Sequence, residues 1–240
     1  MKKLVVMFFA SLILCANAYA DNTETISTEA NKTKTINMKY VAEAQNKINE
    51  IGFKILNYNG IEKRMVFNFD TKNTKKVSSH NRNRKIVVYT EIYKKLTSDD
   101  EIAAVLAHEI AHGVDSYNGV FNGYFSSWSY ALAPRKYEYK ADKMAVDYMV
   151  NAGYNPLAII VVLSKTLPQA RYDWYAFQPL TSRRMMRIYE YVYKKYPEYL
   201  ANNVYKDNVY YQNFLLTSKT NRAKFQKKIE SGSKKAVSYQ

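Results

Sequence analysis

The chain has 240 residues but only one cysteine, three histidines, seven glycines and five prolines. A lone thiol, Cys15, leaves no intrachain disulfide framework, and packing or a metal held by other side chains must do that work. No Gly-rich phosphate loop and no internal repeat occurs, so nothing points to a nucleotide-cradling or solenoid protein. Beyond the amino terminus no stretch reaches the roughly 18 consecutive apolar residues of a membrane-spanning helix. Negative charge is also scarce: 36 Lys and Arg stand against 21 Asp and Glu, a formal net charge of +15. That balance suits anionic envelope surfaces, cell-wall polymers or acidic substrates. No recognisable reading motif accompanies it, and no nucleic-acid partner is expected.

The amino terminus predicts where the protein works. Met1-Lys2-Lys3 is a short positive segment, Leu4 to Leu14 is apolar, and Ala18-Tyr19-Ala20 is a small-x-small cleavage signal. This is the pattern of a secretory signal peptide over residues 1–20, too short for a permanent span, with a mature start at Asp21. Cleavage removes Cys15, and loss of Lys2 and Lys3 lowers the net charge from +15 to +13. The expected location is the periplasm. Secretion is an alternative; lipid anchoring through Cys15 is a weaker one, because Leu14 is not the small residue such a signal needs.

About 220 residues then remain, enough for one core. Residues 21–37 read as a polar, Thr-rich flexible arm, 38–196 as the main domain, and 197–240 as a basic extension that packs on the domain or trails from it. Met38 to Ile51 has helical spacing. Phe53 to Tyr58, Arg64 to Phe69 and Lys85 to Tyr89 read as strands, with Asn59-Gly60 as a hairpin turn between the first two. Helices dominate from there to Tyr196, where Pro197 stops one. The expected architecture is α+β, mainly helical, with a small sheet beside one helix and an edge strand open to an extended peptide.

The most specific chemistry is His108-Glu109-Ile110-Ala111-His112. On a helix, histidines four apart share a face, and Zn²⁺ is the ion such a pair suits; the glutamate between them is placed to take a proton from an activated water. Thr97-Ser98-Asp99-Asp100-Glu101 supplies a capping box, Ile102, Val105, Leu106, Ile110 and Val114 keep helical rhythm, and Gly113 marks a plausible helix end. A catalytic zinc takes three protein ligands. The spacing that would supply a third histidine meets Asp115 and Asn118, and His80 lies in a loop-like stretch rich in Ser, Asn and Arg. A carboxylate on a second helix is the better candidate: Glu138 and Asp142 are four apart, so Glu138 could bind the metal while Asp142 orients a ligating histidine.

His-Glu-Ile-Ala-His, followed by Glu138-Tyr-Lys-Ala-Asp142 and Ala-Gly-Tyr-Asn-Pro at 152–156, resembles the HtpX-like and Oma-like zinc metallopeptidases (peptidase family M forty-eight). The resemblance covers roughly residues 38 to 195 and implies a zincin-like α+β domain with one Zn²⁺ per chain. It implies His108, His112 and Glu138 as ligands, Glu109 as general base and Asp142 as the ligands' support. The family often has a His-Pro pair and a later Arg near the substrate oxyanion; here Gln178-Pro179 precedes Arg184, so Gln178 stands where a histidine is expected. Gln donates a hydrogen bond but carries no charge, so Arg184, the best match to the family arginine, would have to supply more of the oxyanion's electrostatic stabilisation. The function implied is hydrolysis of peptide bonds in envelope or misfolded proteins, without the membrane helices of the HtpX branch. A zinc-stabilised binding or chaperone-like module that has lost hydrolysis is the alternative that Gln178 keeps open.

Overall fold

The computed structural model describes residues 38–72, 78–80, 84–117, 134–167 and 181–239. By contact clustering the chain forms two units, Met1–Ala44 and Gln45–Gln240. Of the first, only residues 38–44 are described, and they are helical. The architecture is mainly helical α+β. Cys15, the arm at 21–37 and Gln178 lie outside the described residues.

Helix α1 covers residues 38–58, which corrects the expected strand at Phe53 to Tyr58. Ile48, Ile51 and Ile55 are fully buried at helical spacing, so the period of one core-facing side overrides the local β-propensity. Asn59-Gly60 is therefore a helix stop and not a hairpin. Gly60 takes φ +58°, its N–H donates to Asn57 C=O at 3.1 Å, and Ile61 N–H donates to Leu56 C=O at 2.9 Å. These two bonds are the Schellman pattern, which needs a left-handed residue.

The sheet has three strands, β1 (Val66–Asp70), β2 (Ser78–His80) and β3 (Lys85–Tyr89), in the order β1-β3-β2. β1 runs parallel to β3 and β2 antiparallel to it, pairing Val66 with Lys85 and His80 with Ile86. Residues 78–80 are thus a strand where the sequence reads as loop. Central β3 buries Ile86, Val87 and Val88 in a continuous run, as a strand covered on both faces should. Two outward-facing groups of β1 are engaged: Gln45 Nε2 donates to Phe67 C=O at 2.9 Å, and Phe69 N–H donates to Gln45 Oε1 at 2.8 Å.

Short α2 (Thr90–Tyr93) leads to α3 (Asp99–Tyr117), which carries the histidine motif. Its start has the expected cap, since Glu101 N–H donates to Ser98 Oγ at 3.2 Å; the return bond goes from Thr97 N–H to Glu101 Oε2 at 2.8 Å. Gly113 does not end this helix, which runs on to Tyr117. A Cβ at Gly113 would lie 2.7 Å from the methyl of buried Met65, so this glycine allows a close approach and is no terminus.

Helix α4 (Pro134–Asn151) opens on proline, whose missing N–H costs nothing in a first turn, and packs most extensively on α3. α5 (Ala158–Thr166) is buried from Ala158 through Leu163 and also packs on α3. α6 (Thr181–Lys195) turns Arg184, Met185, Ile188 and Val192 inward against α4 and α5. α7 (Glu198–Ala201), α8 (Val209–Thr217) and α9 (Lys219–Glu230) follow. The last segment does not trail: Phe225 and Tyr239 are buried, and the Tyr239 hydroxyl donates to Glu190 Oε2 at 2.6 Å.

Candidate metal centre

One helix face and one helix turn build the site. His108 and His112 sit one turn apart on α3, with both imidazoles partly buried, and Glu138 comes from the second turn of α4. The two Nε2 atoms are 3.1 Å apart. Glu138 Oε2 is 3.4 Å from His108 Nε2, and Oε1 is 3.3 Å from His112 Nε2. Ligands arranged tetrahedrally at zinc bond lengths of about 2.0–2.2 Å lie roughly 3.3–3.5 Å from one another. The two histidine–glutamate separations match that spacing, and the two Nε2 atoms are slightly closer. Among the described residues, His108, His112 and Glu138 form the group of His, Cys, Asp and Glu side chains able to hold a metal ion.

The tautomer suits the same task. His108 Nδ1 lies 3.1 Å from Asp142 Oδ1, a close approach although its angle falls outside that of a well-formed hydrogen bond. In the neutral ring, a proton on Nδ1 toward that carboxylate would leave the Nε2 lone pair facing Glu138 and His112. Two nitrogen lone pairs and a carboxylate converging within a partly buried site call for a cation, and one divalent ion fits the donor set.

Charge is balanced by a buried arginine. Arg184, 5% exposed, donates from Nε and Nη2 to Asp142 Oδ2 and Oδ1 at 2.8 and 2.6 Å. Its Nη1 lies 3.2 Å from Glu138 Oε2. Burial would raise the carboxyl of Glu138, but the facing imidazoles of His108 and His112, with Arg184, hold it far below the usual carboxylate range. Asp142 is lowered too, with Arg184 and His108 overcoming its desolvation. Burial pushes His108 down, yet Asp142 and Glu138 outweigh that and bring its imidazole up to about 9.

Glu109, one position after the first ligand, is half-buried on α3. Beyond the ligands, Lys140 of α4 pairs with Asp115 of α3, a second tie between the helices that bring Glu138 to the histidines. Sequence reasoning missed that tie and the Arg184 fork; an acidic residue at 142, opposite an arginine in an amphipathic helix, is the only hint of the fork. His80 is in β2, on the sheet.

This mainly helical α+β chain places two helix-borne histidines against a buried glutamate, an arrangement able to hold a metal ion. Residues 42–120 match the model of Peptidase family M48. That match supports a metallopeptidase function in general; it includes His108, Glu109 and His112 and stops short of Glu138, Asp142 and Arg184. No curated protein matches the chain.

Proposed function

We propose that this chain is a zinc-dependent endopeptidase, an exported relative of the HtpX-like and Oma-like enzymes, acting on envelope or misfolded proteins in the periplasm. The observation that carries the reading is the convergence of His108, His112 and Glu138 at close to tetrahedral spacing, one residue from Glu109. His108, His112 and Glu138 would hold one Zn²⁺ per chain. When bound, the ion supplies Lewis acidity, polarising a scissile carbonyl and making a nearby water easier to deprotonate.

The chain's own residues do the rest. Glu109 takes the water's proton as its oxygen bonds to the carbonyl carbon, then passes that proton to the amine nitrogen as the C–N bond breaks. Asp142 keeps the Nδ1 proton of His108 in place. By the family resemblance, Gln178 would stand as an uncharged donor for the developing oxyanion. An extended substrate adds its backbone to the sheet at β2, because two outward groups of β1 are already bound by Gln45. Export rests on the signal-like residues 1–20, and the basic surface favours anionic envelope components.

The alternative, a zinc-stabilised binding or chaperone-like module, rests on the neutral Gln178. Zinc stoichiometry and casein cleavage, wild type against Glu109→Gln, separate the two. One zinc with cleavage lost in the variant supports the endopeptidase. Zinc without cleavage by wild type supports the module, and a chain that takes up no zinc refutes both.

A further inference from the structure

Arg184 occupies the position where the family resemblance puts an arginine near the substrate oxyanion, but its guanidinium is committed elsewhere. Nε and Nη2 grip both oxygens of Asp142, and Nη1 faces Glu138 Oε2. Three nitrogens face two carboxylates, and 5% exposure leaves little of the side chain for a peptide. We infer that Arg184 is a positioning residue of the metal centre, holding Glu138 directly and His108 through Asp142. The inference rests on the reading of this site as a zinc centre.

The physical case is one of shape. Asp142 Oδ1 is shared between Arg184 Nη2 and His108 Nδ1, so the rotation of the carboxylate, and with it the ring, depends on the fork below. Asp142 and Glu138 are 2% and 5% exposed; neither could stay ionised there without a partner. A planar guanidinium bridges two carboxylates at fixed angles, whereas an ammonium is a point charge that does not. Helix α6 thereby sets the geometry of ligands carried by α3 and α4.

Charge and shape act in opposite directions on the metal, which makes the inference testable. A positive charge beside a dication repels it, so an arginine that worked only by charge would weaken zinc binding, and neutralising it would tighten the site. A positioning arginine does the reverse. In the full chain, Arg184→Lys and Arg184→Gln are compared with wild type by zinc affinity in chelator competition, by the visible spectrum of the cobalt-substituted protein and by casein cleavage at saturating zinc.

Both variants should lose about 10- to 100-fold in zinc affinity, the usual size of an outer-shell effect, and show an altered cobalt spectrum. Their kcat should fall with KM nearly unchanged. Zinc affinity equal to or tighter than wild type in both, with a wild-type cobalt spectrum, would overturn the inference and return Arg184 to the substrate side. Should neither variant fold, Asp142→Asn carries the test: a similar loss is expected, and wild-type zinc affinity in that variant would sink the idea. A wild-type chain that binds no zinc overturns the zinc-centre reading together with it.

Discussion

Glu109 and His108 are neighbours in the chain with separable jobs, and single substitutions tell them apart. On the proposed reading, Glu109→Gln keeps shape and removes the base, so zinc content should stay at the wild-type level while casein cleavage falls by about 10²-fold or more. His108 predicts a pH effect. Its imidazole is raised from its ordinary 6.5 to about 9, so in the metal-free protein it carries a proton at pH 7 that zinc must displace. Zinc affinity should therefore climb from pH 6 toward 9, by up to about tenfold per unit, and flatten above. The metal-free fold moves the other way: the proton's stabilisation is complete below about 6.5 and is lost as pH rises through 9. Chelator competition across that range checks the first trend; an affinity that falls with pH contradicts it.

Among the polar contacts that join helices, one of the most buried is that of Glu101. Glu101 of α3 is 1% exposed and accepts from Lys165 Nζ of α5 at 2.7 and 3.0 Å, as well as from the Thr97 N–H. Removing one partner strands the other charge in the core. Glu101→Ala should cost about 3–5 kcal/mol in urea unfolding, well above an exposed ion pair such as Lys39–Glu43. Gly60 tests the end of α1: with φ at +58°, Gly60→Ala forces a left-handed alanine and should cost about 1 kcal/mol. A hairpin there would have made the same residue part of a sheet. Those two outcomes differ because Phe53 to Tyr58 has a strand's composition and a helix's burial, and composition is local while burial is not.

At the scale of the whole molecule the metal centre is a junction of three helices, so its occupancy should be felt globally. Removing zinc with a chelator should lower Tm by several degrees, and restoring it should bring Tm back, since the ion binds the assembled site and little of the unfolded chain. A Tm indifferent to chelation would mean that the ligands are held together without the ion. The carboxyl-terminal segment belongs to the same body: Tyr239 and Lys228 both reach Glu190 on α6. Its lysine-rich composition resembles a solvated tail, yet Phe225 and Tyr239 are apolar anchors spaced too far apart to register as a periodic pattern.

By itself the sequence determined what can be written as short-range spacing. Two histidines four residues apart, a glutamate and an aspartate four apart, a capping box at Ser98 and a continuous apolar β3 are patterns within one or two helical turns or one strand, where geometry follows from the backbone period. Only tertiary structure decided which way longer contests ended. Gly113 proved to be a contact with Met65, Asn59-Gly60 a helix stop, residues 78–80 a strand, and Arg184 a fork on Asp142 from 42 residues away. For Gly113 and Arg184 the deciding partner is distant along the chain, and no local propensity carries information about a neighbour that only folding supplies.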